Sequence, residues 1–372
     1  MNPMVSPPKP AFGPTTSAAL DALRIVAALV VVVFHASSQW TTAYPALHAA
    51  LGKAAHAAVV LFFVISGYVI AATTARNNRG PRQYALARLS RLYSGLVPAL
   101  VVTALVEWLI GTADAAVAAR YVREYSGARY LLSLFFGNEV GPLSAAPPLN
   151  SPLWSLSYEF WYYALFGIWT YRRLTRWGWL WLVLAAVVAG PKILLLLPVW
   201  LFGVGAHRRP APAMSAAHGW LLVGLLLALG GMAAAALPAL PAAVGTRPLF
   251  FSGQFVTDWV VGALFAGAIW GLPAGTVSGP RRWAKPLRLV ADASFPLYVL
   301  HFPLLVLWRV LFGQQLNNLQ QLGWVILGVT LLAGAAGLLL ERQRSSWVRL
   351  FDWLIRRFTK KPAPGGPGVP KA

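Results

Sequence analysis

Long apolar runs alternate along the chain with short segments rich in arginine and proline. A helix needs about 20 apolar residues to cross a bilayer core of about 30 Å. Ten such runs are read, at 18–39, 54–75, 92–111, 152–170, 177–190, 192–206, 217–236, 254–272, 293–312 and 322–340. The fifth and sixth are short and separated only by Gly190-Pro191, so they form one broken helix or a tight pair. The pattern predicts an all-α polytopic membrane protein with about ten transmembrane helices in one domain, 18–340. After the last run, Trp347, Leu350, Phe351, Leu354, Ile355 and Phe358 recur at helical spacing among Arg and Lys. That spacing predicts an amphipathic helix over 341–361 lying on the inner membrane surface. Residues 1–17 and 362–372 are Pro-rich and expected to be disordered. No internal repeat and no second, soluble domain is read. The one long outer loop, 112–151, contains ARYLLSLFFGN, which reads as a short interfacial or re-entrant helix.

Composition supports this pattern. Apolar residues make up 58% of the 372 positions and charged residues 11%. A soluble domain carries roughly 25% charged residues, so a water-soluble enzyme is excluded. The absence of cysteine removes disulfides, thiolate metal sites and a cysteine nucleophile. The net charge is +21, and its distribution gives the orientation. With the N-terminus in the cytoplasm, 23 of the 31 Lys and Arg fall in inner segments and 6 in outer ones. Arg24 and Arg309 lie within spans. This positive-inside bias predicts both termini in the cytoplasm and insertion in the cytoplasmic (inner) membrane. Because the cations are spread over loops that face anionic lipid, no nucleic-acid partner is implied. The first run carries Arg24 and His35 and is followed by further spans, so it reads as a retained anchor, not a removable signal.

Ionisable side chains at membrane depth need a reason, since each costs roughly 2.5–3.5 kcal/mol on insertion scales. In LDALRIVAALVVVVFHASS, eleven helical steps bring His35 to within roughly 20° of the face of Arg24 and about 16 Å further along the axis. Asp21 lies three residues before Arg24 and can pair with it. The competing reading is that Arg24 snorkels to headgroups and His35 is a satisfied buried histidine. In the fourth run Ser155, Glu159 and Tyr162 share a face at i, i+4 and i+7, with Glu159 at about the depth of His35. A carboxylate beside an imidazole fixes its tautomer and raises its basicity; alternatively Glu159 pairs with a buried cation such as Arg309. At the start of the third run, Arg88 and Arg91 share a face with Tyr84. Two arginines so spaced can clamp phosphate, or serve only as topogenic charge. The ninth run places Asp292, His301 and Arg309 along its length; His301 reads as a second site histidine or as a hydrogen-bonding partner between helices. Asp258 and Glu107 are weaker examples of the same kind, and His48, His56, His207 and His218 fall in loops or at span edges.

Together these segments resemble the acyltransferase type 3 family, multi-pass enzymes that acylate sugars, surface polysaccharides, lipids and some small molecules. LDALRIVAALVVVVFH is similar to the first-helix motif of Arg, ten residues and His, here Arg24 and His35. LFFVISGYVI (61–70) is similar to the second-helix signature, and RLSRL followed by Leu96-Val97-Pro98 to the Arg-x-x-Arg element. LWSLSYEFWYY (153–163) resembles the SLSxE motif, and SFPLYVLHFPLL (294–305) the late-helix pattern that ends in a histidine. The resemblance covers about 18–340. One departure is Ala58-Val59-Val60, where family members often carry Gly-Val-Asp.

The resemblance implies a cytoplasmic acyl-coenzyme A donor, most often acetyl-coenzyme A, used as co-substrate with no permanently bound cofactor or metal. Arg24, Arg88 and Arg91 would meet its phosphates. His35 would act as general base or form a transient acyl-histidine, oriented by Glu159, with Asp21, Ser155, Tyr162 and His301 lining the site. The acceptor would be a hydroxyl of a saccharide, a polysaccharide or a lipid-linked molecule, as in O-acetylation and polysaccharide modification. Without an appended esterase-like domain, a separate periplasmic partner would hand on any substrate that needs it. Two other readings remain at this point. Intramembrane Arg, His and Glu also suit a proton-coupled transporter of a small solute, although no inverted repeat is read. A membrane-bound O-acyltransferase of unrelated fold would have its own histidine.

Overall fold

The computed structural model describes residues 13–76, 80–113, 115–122, 124–273 and 284–359. The expected tail 362–372 and most of the N-terminal segment fall outside these. Eleven helices follow in order: α1 Pro14–Trp40, α2 Pro45–Arg76, α3 Pro81–Ala113, α4 Ala115–Tyr121, α5 Ser126–Leu134, α6 Trp154–Tyr171, α7 Gly178–Arg208, α8 Ala216–Ala236, α9 Phe255–Trp270, α10 Ala284–Phe312 and α11 Leu319–Thr359. The described residues contain no strand, only one isolated bridge between Thr246 and Phe250. α1, α2 and α3 each begin on a proline, whose missing N–H costs nothing in a first turn. α1 begins at Pro14, with Thr15 and Thr16 buried, so the helix takes up the last residues of the segment expected to be disordered.

Among the described residues, seven helices are long and apolar enough to cross a membrane: α1, α2, α3, α7, α8, α10 and α11. α9 is apolar but only 16 residues long, and the 18 residues of α6 carry many aromatics. α1 and α10 run parallel, with Asp21 beside Arg288 at one end and the His35 ring beside that of His301 further along. The first of these ends, which also gathers Arg82, Arg88 and Arg91 of α3, is called the arginine end below.

α2 lies along α7 at very close range. A Cβ on Gly203 would overlap the Val64 carbonyl, and one on Gly67 would overlap that of Trp200. Only glycines let two backbones approach this far, as expected where packing in place of the hydrophobic effect holds helices together. α7 is interrupted where the sequence suggested. Gly190 sits at φ 80°, ψ 174°, and Pro191 opens the second half of the helix. The break is stapled by the loop after α5. Gly141 N–H donates to the Ala189 carbonyl at 3.4 Å. Glu139 pairs with Lys192 at 3.1 Å, with both side chains at most 2% exposed. Ser144 adds a bond to Glu139, and the Lys192 ammonium also donates to the Leu143 carbonyl. Burial pushes the Glu139 carboxyl up to about 7, against the opposing pull of Lys192. Fully buried Asn150 then ties the loop to α3 and α10, donating to Thr103 Oγ1 and the Val299 carbonyl.

The segment expected as an amphipathic surface helix continues α11, which runs unbroken for 41 residues, or about 60 Å. No Gly or Pro interrupts it between 338 and 359. Its aromatic stripe faces α3, with the Trp347 and Phe351 rings 6.0 and 5.1 Å from Tyr93. Asp352 accepts from Arg82 of α3 and from Arg356.

Candidate active site

A cavity of about 270 Å³ opens between α1, α2, α3, α6 and α10 at the arginine end. Five guanidiniums line it: Arg24 of α1, Arg88 and Arg91 of α3, Arg288 of α10 and Arg344 of α11. Glu159 and Asp292 are the carboxylates on its wall. Asp21 pairs with Arg24 at 3.7 Å and with Arg288 at 3.4 Å, and Arg288 also reaches Asp292 at 3.4 Å. Cations therefore outnumber anions, in a site where low dielectric strengthens each charge. The positions are set by ring packing. Arg91 lies 4.9 Å over Phe295, and Arg88 lies between the Tyr84 and Tyr163 rings at 5.9 and 6.0 Å. Such a surface fits a molecule carrying several phosphates.

Further in, the lining becomes aromatic and hydroxylic, with Phe62, Ser155 and Tyr298. The Tyr298 hydroxyl donates to the Pro152 carbonyl at 3.0 Å and lies 2.8 Å from Ser155 Oγ. Behind Tyr298 lies the histidine pair. The His301 ring is 5.9 Å from that of Tyr298 and 5.2 Å from that of His35. Phe34 and Phe302 enclose His35, with centroids 4.8 and 5.2 Å away. His301 Nδ1 is 2.6 Å from the Tyr298 carbonyl, which can only accept, so Nδ1 carries the proton. Nε2 then holds a lone pair and has no hydrogen-bond partner in a fully buried position.

Arg24 and His35 thus both face the bundle interior alongside α10, but they do not share one chamber. Arg24 lines the cavity, and His35 lies beyond the Tyr298 wall. The structure brings Arg24, Arg88, Arg91, Ser155 and Glu159 together and places Asp21 directly behind them. Glu159 makes no hydrogen bond to His35. Its Oε1 accepts from Ser66 Oγ at 2.9 Å and from Tyr163, and Trp200 Nε1 donates to Ser66 at 3.2 Å. Tyr162 is off the cavity, fully buried against Phe63 and Trp200, and its hydroxyl has no partner. One residue further on, Tyr163 takes the lining position.

Arg288, Arg344, Ser66 and Tyr298 were not singled out from the sequence. The two arginines had merged into the positive-inside count, and a serine or tyrosine in an apolar run carries no charge signal. His56 is also more than an edge residue, since its Nε2 lies 2.9 Å from the buried Asp258 carboxylate. Glu107 is bound by Ser126 and Tyr130, each at 2.6 Å.

A family model described as an acyltransferase domain matches residues 17–340. No curated relative and no solved structure matches the chain. The match spans α1 through the membrane portion of α11, with the histidine pair and every residue of the arginine cavity except Arg344, and the chain accordingly belongs to the acyltransferase type 3 family of integral membrane acyltransferases.

Proposed function

We propose that this protein moves an acetyl or other short acyl group from acyl-coenzyme A to a hydroxyl of a saccharide, polysaccharide or lipid-linked acceptor, as in O-acetylation of cell-surface sugars. The donor enters from the cytoplasm at the arginine end, and the acceptor arrives from the opposite face of the inner membrane. The observation that carries this reading is the polarity of the interior along one axis. A cluster of guanidiniums suited to phosphates stands at one end, and a buried imidazole pair stands beyond a hydroxyl-lined wall.

In this reading Arg24, Arg88 and Arg91 hold the donor phosphates, with Arg288 and Arg344 adding to the same field. His35 takes the proton of the acceptor hydroxyl as its oxygen attacks the thioester carbonyl. The tetrahedral intermediate then collapses, the carbon–sulfur bond breaks, and the imidazolium returns the proton to the leaving thiolate. His301 acts as a positioning residue, since its bond to the Tyr298 carbonyl leaves an acceptor nitrogen beside His35. Glu159, held by Ser66 and Tyr163, shapes the inner cavity wall. Ser155 and Tyr298 are hydrogen-bonded to each other, and in this reading the wall they form opens for the thioester to reach the histidines.

The test is turnover of labelled acetyl-coenzyme A by purified protein in detergent or nanodiscs. His35→Ala should abolish release of free coenzyme A while leaving donor binding near the wild-type level. Full turnover in a folded His35→Ala protein would overturn the mechanism. Proton-dependent solute flux in liposomes with no thioester consumed would overturn the enzymatic reading itself.

A further inference from the structure

A second cavity of about 770 Å³ opens on the outside of the bundle between α3, α6 and the first half of α7. Its size falls within the range of ligand pockets, roughly 300–1,000 Å³. The walls are apolar, with Ala85 and Leu89 from α3, Ala164 and Ile168 from α6, and Trp181 and Leu184 from α7. The groove runs along α6 from Tyr171 to Phe160. Eleven rises make that about 16 Å, half of a ~30 Å hydrocarbon core and thus the depth of one leaflet.

The charged residues on its lining are Arg88 and Arg172. Arg172 has its guanidinium fixed 3.8 Å over the Trp169 ring and bonded to the Trp169 carbonyl. Leu92 and Tyr163 form a wall common to the groove and the arginine cavity. Arg88 lines both spaces, and its Nε is buried without a hydrogen-bond partner. A buried charged donor without a partner is costly unless a ligand supplies the acceptor.

We infer that this groove is a binding site for an anionic glycerophospholipid of the leaflet at the arginine end. One acyl chain fills the slot toward Phe160, and the phosphate sits at Arg172 within reach of the Arg88 side of the wall. Length, apolar lining and Arg172 at the end of the groove match a lipid whose head lies at the interface and whose tail points to the midplane. The lipid would complete the lateral wall of the arginine cavity. This inference does not depend on acyl transfer.

The test uses full-length protein stripped of lipid by detergent exchange. It is then incubated with equal concentrations of dioleoyl phosphatidylglycerol or dioleoyl phosphatidylcholine, and retained lipid is counted by native mass spectrometry. The wild-type protein should retain phosphatidylglycerol about fivefold over phosphatidylcholine, the ratio expected for one cation at an interface. Arg172→Gln should bring that ratio close to one. Ala185→Trp, which fills the slot from α7, should reduce phosphatidylglycerol retention about tenfold without changing elution or thermal midpoint. Ala164→Trp does the same from the α6 side and serves if the first variant fails to fold. Millimolar inorganic phosphate should not displace the lipid; displacement would assign the site to free phosphate. Equal retention of the two lipids by the wild-type protein, or unchanged retention in the folded tryptophan variants, would overturn the inference.

Discussion

Two glycines on α7, two residues apart, should respond in opposite ways to the same methyl group. At Gly203 the added Cβ would overlap the Val64 carbonyl and lie 2.9 Å from Tyr68 N. Both atoms are backbone and cannot rotate away, so α2 and α7 must part. A gap of 0.5–1 Å forfeits roughly a quarter to a half of each contact of about 0.1–0.2 kcal/mol. Over some tens of contacts along the crossing, the loss is about 2–3 kcal/mol, within the usual range for overpacking. For a chain of this length that is a fall of about 3 °C in thermal midpoint. At Gly205, by contrast, nothing lies within 4 Å of the added Cβ. Gly205→Ala should leave the midpoint unchanged or raise it by a degree or two, since it lowers the entropy of the unfolded chain. The assay is thermal unfolding in one detergent, followed by aggregation-coupled size exclusion. A Gly203→Ala protein with the wild-type midpoint, or an equal fall for Gly205→Ala, would refute the close-packing argument. Gly203→Ala should also lower acyl transfer, because Trp200 on α7 holds Ser66, and Ser66 holds Glu159.

Arg91→Ala should weaken acyl-coenzyme A binding by about tenfold, the value of one charge-assisted contact, when measured by titration with a non-hydrolysable analogue; unchanged affinity would remove Arg91 from the donor site. Asn150→Ala should cost about 2 kcal/mol of stability by leaving the Thr103 hydroxyl and the Val299 carbonyl without their buried donor, read as a drop in midpoint. Glu139 gives a pH signature. Its folded carboxyl is pushed up to about 7 from the ordinary 4.5, so the folded state binds the proton more tightly than the unfolded one. Stability should therefore decline as pH rises from about 4.5 to about 7, and Glu139→Gln should flatten that slope in a midpoint-versus-pH series. A wild-type curve with no slope across that interval would contradict the burial argument.

Much of this architecture could be read from the sequence because lipid imposes a severe rule: apolar runs must be helical and their ends must be charged. That rule located the helices and marked Gly190-Pro191 as a break. Helical arithmetic likewise placed Arg24 and His35 on one side of α1, where α10 now lies. Choice of partner was not legible. Glu159 was expected beside an imidazole on grounds of depth, but its rotation about the α6 axis points it to Ser66 and Tyr163. Periodicity from Ser155 led to Tyr162, whereas the cavity meets Tyr163, because the helix presents one side to α3 and the next to α7. The end of α11 showed its amphipathic stripe in the sequence, but a stripe of Trp347 and Phe351 fits lipid or a neighbouring helix equally well. The Lys192–Glu139 pair joins residues 53 apart, and neither residue alone signals the other.

The first half of α7 has a consequence for the membrane around it. Only twelve residues precede Gly190, a rise of about 18 Å, and the Gly141 loop meets the end of that short rod. Irregular backbone does not persist against hydrocarbon tails. The bilayer on this flank is expected to thin toward the loop, at a cost of fractions of a kcal/mol for each ångström, which a lipid-density map of the protein in nanodiscs would check. A funnel of polar solvent would then approach the protein from the side opposite the arginines, shortening the distance a hydrophilic molecule has to cover in the dry interior.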